Sequence, residues 1–400
     1  MREVVIAGYL RTAQTRSRPN DPPRDWFFKM RSDDLLARLL PEVIKRTGIK
    51  PEEVEDFIVG SAIGVTEQWS YGGRLPIFLA NLPQTISAKF VDQQCGSAMA
   101  GIHIGFMEIA MGFADIVMVG GMEHMTRVPM GSLAGEKGAI SPNLRLFTDP
   151  AYKHWEMMTT MNMGLTAEKL FGMSGLTKED MDKWGVRSHR LAAQAQAEGF
   201  FKDEILPVEA EQGDGKKMVV EKDQAVRGDT TLEQMKDLKP AYKPDGVITA
   251  GISSPLNAAA TSMILMSKET AKKKGIKPLA TIRSIGFAGV DPTIMGAGPV
   301  PASKKALASA GLQVKDIDYW EINEAFAIVP LYCIKELGIN PDRVNVMGGG
   351  LAIGHPLGAT GVRLVGTLAR ILEKKGGRYG LANACVGGGQ GVATIIEREA

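Results

Sequence analysis

Four short stretches of this 400-residue chain carry side chains able to do covalent chemistry. Cys95 ends the strand-like run Lys89-Phe90-Val91-Asp92-Gln93-Gln94 and opens the Gly/Ala-rich stretch Gly96-Ser97-Ala98-Met99-Ala100-Gly101. A thiol at a helix N-terminus faces free backbone N–H groups and the positive end of the helix dipole, and both favour the nucleophilic thiolate. The competing reading is a buried, space-filling cysteine. His355 lies in the glycine-rich run Gly348 to Gly361, followed by Pro356 and flanked by glycines that permit close backbone approach. A satisfied structural histidine is the alternative there. The run matches neither GxGxxG nor GxxxxGK[ST], so it argues weakly for nucleotide binding. A second thiol, Cys385, precedes Gly387-Gly388-Gly389, whose backbone N–H groups are free to stabilise an oxyanion. Finally, Asn323-Glu324 sits at a strand-to-helix junction, as catalytic groups or as a helix cap.

These residues are far apart in sequence, so their chemistry depends on elements that bring them together. Short apolar strands alternate with Ala/Leu-rich helical stretches, which is the grammar of an α/β fold. Helices are expected at 33–46, 96–112, 303–310 and 357–374, and strands at 56–60, 115–121, 318–322, 344–347 and 379–385. The two ends of the chain repeat one plan: a strand, a reactive residue, a Gly/Ala-rich helix and a buried strand running into glycines. Cys95 and His355 occupy matching places in it, which reads as a duplication of structure. The middle, 122–251, lacks this alternation and reads as an inserted loop domain between an N-terminal half, 1–121, and a C-terminal half, 252–400. Its methionines, Met157, Met158, Met161 and Met163, read as adaptable core filler, with the lining of an apolar ligand site as the rival. The Pro/Arg/Trp-rich segment from Arg16 to Arg31 reads as a solvated surface loop.

Composition narrows the function classes. Hydrophobic content of 44% and charged content of 23% are ordinary for a globular protein, and the length suits more than one domain. A net charge of +2 gives no argument for nucleic acid or an anionic membrane. Three widely spaced cysteines make neither a disulfide framework nor a metal site, which points to free thiols in a reducing, cytoplasmic setting. No apolar run has membrane-spanning length, and no targeting segment is recognisable.

Taken together, Gln94-Cys95-Gly96-Ser97, Asn323-Glu324-Ala325-Phe326, Gly354-His355-Pro356 and Cys385-Val386-Gly387-Gly388-Gly389 resemble the thiolases in order and spacing. The resemblance covers nearly the whole chain, including Gly289-Val290-Asp291-Pro292, Met295 to Pro299 and Met163 to Glu168. It implies a duplicated five-layer α-β-α-β-α fold with an inserted loop domain, and a homodimer or homotetramer. It also implies acyl transfer to and from coenzyme A through an acyl-Cys95 intermediate, with acyl-CoA as substrate and no permanently bound cofactor or metal. By the same likeness His355 is the base for Cys95, and Cys385 is the acid/base at Cα of the acetyl unit. His355 and a water held by Asn323 would serve one oxyanion, and the N–H groups of Cys95 and Gly387 the other. Arg227 would lie beside the adenine end of coenzyme A, with Ser254, Met163 and Phe326 along the pantetheine arm.

Three places depart from the family's usual pattern: Leu256-Asn257-Ala258-Ala259-Ala260 lacks a carboxylate, Asn162 stands where histidine is frequent, and a long Pro/Arg loop follows Arg11-Thr12. All three bear on acyl chain length and on the direction of the reaction, and the changed pocket leans towards degradative, or less usual, 3-ketoacyl substrates. The rival readings are a ketoacyl-synthase-like condensing enzyme, which would bring a Cys-His-His set, and a non-catalytic acyl-CoA or lipid carrier.

Overall fold

The computed structural model describes residues 1–128 and 142–399. Nine strands form the main path of one large sheet: β1 (Val4–Arg11), β2 (Asp56–Gly60), β3 (Ser87–Val91), β4 (Ile116–His124), β5 (Asn257–Ser267), β6 (Ala280–Gly289), β7 (Tyr319–Ile322), β8 (Tyr379–Val386) and β9 (Gln390–Glu397). Their order is β7-β8-β9-β6-β1-β5-β4-β2-β3. The duplication is visible in the pairing. In the first half β2 runs parallel to β3 and β4, β4 pairs antiparallel with β5, and β5 antiparallel with β1. In the second, β7 runs parallel to β8 and bridges Val344, β8 pairs antiparallel with β9, and β9 with β6. The halves join where Val4 to Ile6 of β1 meet Ala280 to Ile282 of β6. The expected division at 252 falls ahead of β5, which lies within the first half-sheet; we propose to divide the chain between β5 and β6 instead.

Alternating side chains dictate the layering. In the first half, Val5, Phe57, Val59, Met118 and Ile264 face outward onto α1 (Ser32–Thr47). Asp33 and Asp34 favour that helix's N-terminal end, and Gly48 closes it in the left-handed conformation. Val4, Ile6, Ile58, Val117, Val119 and Met263 face inward, into a core shared with the second half. That core is filled by two helices, α2 (Ser97–Ala110) and α7 (Thr360–Lys375). The second half-sheet is covered outside by α5 (Pro299–Ala310) and α6 (Ile328–Leu337), through Trp320, Ile322, Leu381 and Ile395. This is the expected five-layer fold, with α2 and α7 as its middle layer. They meet so closely that a Cβ on Gly361 would overlap the Met99 backbone nitrogen.

Several local expectations change. Val344 to Met347 makes isolated bridges and no continuous strand. The two central helices start later than periodicity suggests, after 3-10 turns at Gln94–Gly96 and Leu357–Ala359. The inserted segment contains two well-formed helices, α3 (Met163–Ser174) and α4 (Lys178–Ala197). Asn162 caps the first, accepting from the Gly164 and Leu165 N–H groups. Met158 and Met161 are exposed, so they are not core filler. The Arg16–Arg31 loop is anchored: Asp25 and Phe27 are fully buried. No helix among the described residues is long and apolar enough to cross a membrane.

The close approach of α2 and α7 gives a direct test. Gly361→Val is expected to lower the thermal midpoint, at a cost of about 1–3 kcal/mol or more because backbone must move. Gly172→Ala, on the exposed face of α3 with open space around it, is expected to gain about 0.5–1 kcal/mol. Wild-type stability in Gly361→Val, measured by calorimetry, would contradict the packing.

Candidate active site

Cys95 sits in the 3-10 turn that leads into α2, as the N-terminal placement anticipates. The backbone N–H groups of Gly387, from the glycine run after β8, and of Cys95 itself lie near enough to its sulfur to act on it. Those donors favour the thiolate, yet burial dominates and pushes the thiol up to about 12, with the charge of Glu123 adding to the rise. The side chain packs with Ala62, Met125 and Leu357. So the expectation that helix placement alone favours an anion fails here: at rest Cys95 is a thiol, because desolvation outweighs the N–H groups.

His355 is equally buried and neutral. Burial first, then the nearby Arg363, pulls its imidazole down to about 3. Its Nδ1 lies 2.7 Å from Thr360 Oγ1, and that hydroxyl donates to the Pro356 carbonyl at 2.8 Å. One hydroxyl carries one proton, so Nδ1–H is the donor to Thr360 and Nε2 keeps its lone pair. Nε2 in turn lies 3.2 Å from Asn323 Nδ2. The Asn323 amide also lies near the Cys385 sulfur and favours its thiolate, whereas Cys95 lies near enough to oppose the ionisation of Cys385. Burial again leads in holding Cys385 as a thiol. Asn323 Oδ1 is buried and has no partner among the described residues. Gly387 and Cys95, Cys95 and Cys385, Cys385 and Asn323, and Asn323 and His355 are thus neighbours in turn, and all but Gly387 carry buried side chains. The capping alternative for Asn323-Glu324 falls away, since the next helix, α6, starts only at Ile328 and has no side-chain cap.

Three groups support the site in roles that the sequence reading did not assign to them. Glu324 is a buried hub: Trp184 Nε1, Ser188 Oγ, Asn345 Nδ2 and the Leu351 N–H all donate to it, at 2.7–3.1 Å. It ties the glycine loop before His355 to helix α4. Asn257 Oδ1 accepts from the His355 N–H at 2.8 Å, and Asn257 lies where a Cβ on Gly354, at φ +124°, would go. Glu123 accepts from the N–H groups of Ala62 and Gly358 at 2.9 and 2.8 Å, and burial raises its carboxyl to about 7. The available signal was a carboxylate ending a buried apolar strand, which demands partners.

The other predicted residues divide between two neighbouring places. Met163 Sδ would lie 3.6 Å from a Cβ on Gly387, beside the thiols. Phe326 is buried edge-on to Tyr242, with ring centroids 5.8 Å apart. Arg227 and Ser254 share a cavity of about 150 Å³ with Arg16, Tyr242 and Leu351. Larger surface cavities, such as that of about 570 Å³ between Leu146 and Thr159, hold none of these residues.

Comparison with known proteins gives this arrangement its family. The thiolase N-terminal domain matches residues 4–269 and the thiolase C-terminal domain residues 276–398. The chain belongs to the thiolase family. This thiolase is 42% identical over 402 aligned residues to the 3-ketoacyl-CoA thiolase of Marinobacter nauticus, covering 99% of this chain and 98% of that one. It is 41% identical to the 3-ketoacyl-CoA thiolase of Hahella chejuensis, with the same coverage. The crystal structure of the Bacillus anthracis acetyl-CoA acetyltransferase superposes with a TM-score of 0.88 at 35% identity, covering 100% of this chain and 99% of the other. The thiolase is thus an acyltransferase whose family uses coenzyme A substrates.

The protonation pattern of the thiolase's site is testable. Cys95 keeps 5% of its surface exposed, whereas Cys333 and Cys385 are fully buried. Iodoacetamide is expected to modify Cys95 first, at a rate still climbing at about pH 9 because the thiol remains protonated. A plateau below about pH 8, read by peptide mass spectrometry, would reveal a resting thiolate and contradict the burial argument.

Proposed function

We propose that this thiolase is an acyl-CoA C-acyltransferase that cleaves 3-ketoacyl-CoA by ping-pong chemistry through acyl-Cys95, and catalyses the reverse condensation. The observation that carries the reading is the linkage of Cys95 to Cys385 and, through Asn323, to His355. Because both Cys95 and His355 are neutral at rest, the thiol proton passes to His355 Nε2 as sulfur attacks the keto carbon. The resulting oxyanion is held by the N–H groups of Cys95 and Gly387. Its collapse breaks the Cα–Cβ bond, leaving the acyl group on sulfur and an acetyl-CoA enolate. The enolate oxygen is held by His355 Nε2–H and a water on Asn323, and its carbon takes the Cys385 proton. Incoming coenzyme A loses its thiol proton to Cys385, attacks the Cys95 thioester and releases acyl-CoA. Cys95 leaves as a thiolate and recovers the proton from His355, so both residues return to their starting states.

Coenzyme A would run from the thiols past Met163 and Phe326 to Ser254 and Arg227. The cleavage direction is favoured by the names of the relatives, which are 3-ketoacyl-CoA thiolases. We also place the protein in the cytoplasm, on its three free cysteines, and as a homodimer or homotetramer. β3 is an edge strand of the sheet, and Trp69, Tyr71, Phe78 and Leu79 are exposed, which suits a self-associating face.

A thiolysis assay across 3-ketoacyl-CoA chain lengths tests the roles. Cys95→Ala is expected to abolish turnover. Asn323→Ala is expected to lower kcat about 10²–10³-fold, the usual effect of losing an oxyanion donor. Cys385→Ser should still accept an acyl group but exchange α-protons poorly. Wild-type turnover in Cys95→Ala would overturn the mechanism, and unchanged exchange in Cys385→Ser would return that residue to a structural role.

A further inference from the structure

A buried ion pair lies behind the imidazole of the site. Arg363 Nη1 donates to Glu321 Oε2 at 2.9 Å, and both side chains are shut off from solvent. Two residues hold the His355 ring, Thr360 at Nδ1 and Asn323 at Nε2. Thr360 and Arg363 are three apart on α7, so they are neighbours on one helix face. Trp320 and Ile322 of β7 face the outer helices, so Glu321 and Asn323 face the other way, towards α7. Each member of the pair thus adjoins, along its own element, a residue that holds His355. The charge of Arg363 reaches the imidazole, where it adds to burial in opposing imidazolium.

The pair is lightly made. Arg363 Nε and Nη2 and Glu321 Oε1 are buried and have no partner among the described residues. Burial raises the Glu321 carboxyl to about 8 even beside Arg363, so at neutral pH it offsets the guanidinium only in part. The buried Arg11 is the contrast. It is bonded by Glu204, by both oxygens of Asp223 and by the Thr12 carbonyl. Two carboxylates spend the field of Arg11 locally, whereas most of the Arg363 field is left to act on its neighbours.

We propose that Arg363, steadied by Glu321, is a positioning residue that opposes the charging of His355, so that the imidazole takes the Cys95 proton only during attack and gives it back when coenzyme A discharges the thioester. Arg363 itself moves no proton. The proposal rests on the acyl-Cys95 reading above, in which the acyl-enzyme carries His355 as imidazolium. A cation behind that imidazolium keeps the acyl-enzyme from becoming a resting state. The other titratable groups near the imidazole are the Cys95 and Cys385 thiols and Glu123, which bonds the Gly358 N–H. Those around the pair are Tyr9 of β1, kept un-ionised by burial, and Glu324 and Glu204, which both act on Glu321.

The experiment incubates each protein with fixed mixtures of acetyl-CoA and coenzyme A, quenches in acid and reads the acylated fraction of Cys95 by mass spectrometry. Arg363→Met removes the cation, and Arg363→Met/Glu321→Gln removes both charges at similar volume, which guards against a fold lost to one unpaired buried charge. In both, the equilibrium constant for acylation is expected to rise about tenfold, the equivalent of one pKa unit at His355. Steady-state thiolysis should slow at the same time, because the proton returns less readily. Arg363→Lys and Glu321→Gln keep the cation and should not raise the acylated fraction. A rise in acylation beside a fall in turnover is a signature that loosened packing does not give, since damage lowers both. An unchanged or reduced acylation constant in both cation-free variants would overturn the proposal, as would a tenfold rise in Glu321→Gln. Absence of acyl-Cys95 in the wild type would instead strike the thiolase mechanism itself, and this proposal with it.

Discussion

Two helices cross inside one shared core, and each is led in by a residue with chemistry to offer. The contact of Gly361 with the Met99 backbone leaves no room for a side chain between α2 and α7. That proximity draws the turn carrying Cys95 and the loop carrying His355 to the same buried region. Burial then sets the chemistry. It outweighs the backbone donors at Cys95 and the basicity of His355, leaving both neutral. A site of two neutral partners develops charge only as substrate reacts, where fixed N–H groups in a dry cavity act most strongly.

Such a site needs rigid walls, and buried carboxylates supply them. Glu324 holds the glycine loop ahead of His355 against helix α4. Glu123 joins the chain after β2 to the turn after His355, through Ala62 and Gly358. Asp25 does the same for the arginine loop at the cavity mouth. Each is fully satisfied by side chains and backbone N–H groups from distant parts of the chain, so each fixes loops that have little regular structure of their own. Helix α4 links the two ends of the site, since Ser188 bonds Glu324 and its neighbour His189 accepts the Arg227 N–H.

The elements with strong periodicity were legible in the sequence. The helix at Asp33 to Arg46 and the buried strand after it emerge within a residue or two, because their apolar spacing is dictated by the core they face. Cys95, His355 and Cys385 were legible because thiols and an imidazole among glycines are chemically unusual. What local pattern could not reveal is long-range pairing. Glu123 lay just beyond the expected strand and Asn257 in a motif compared only for substrate choice, and the importance of both lies in partners 61 to 235 positions away. Helix α4 of the inserted segment was hidden by its polar composition, and the arginine loop looked solvated because its buried anchor, Asp25, is a charged residue. The thiol's resting state was misjudged for the same reason: a dipole is visible in a sequence, while desolvation depends on what packs around it.

The most direct test is to quench the reaction with a 3-ketoacyl-CoA within one turnover and map the covalent adduct by mass spectrometry. The account predicts an acyl group, shortened by the acetyl unit, on the peptide containing Cys95, discharged by added coenzyme A. Full turnover with no adduct there, or with the acyl group on Cys385, would contradict it.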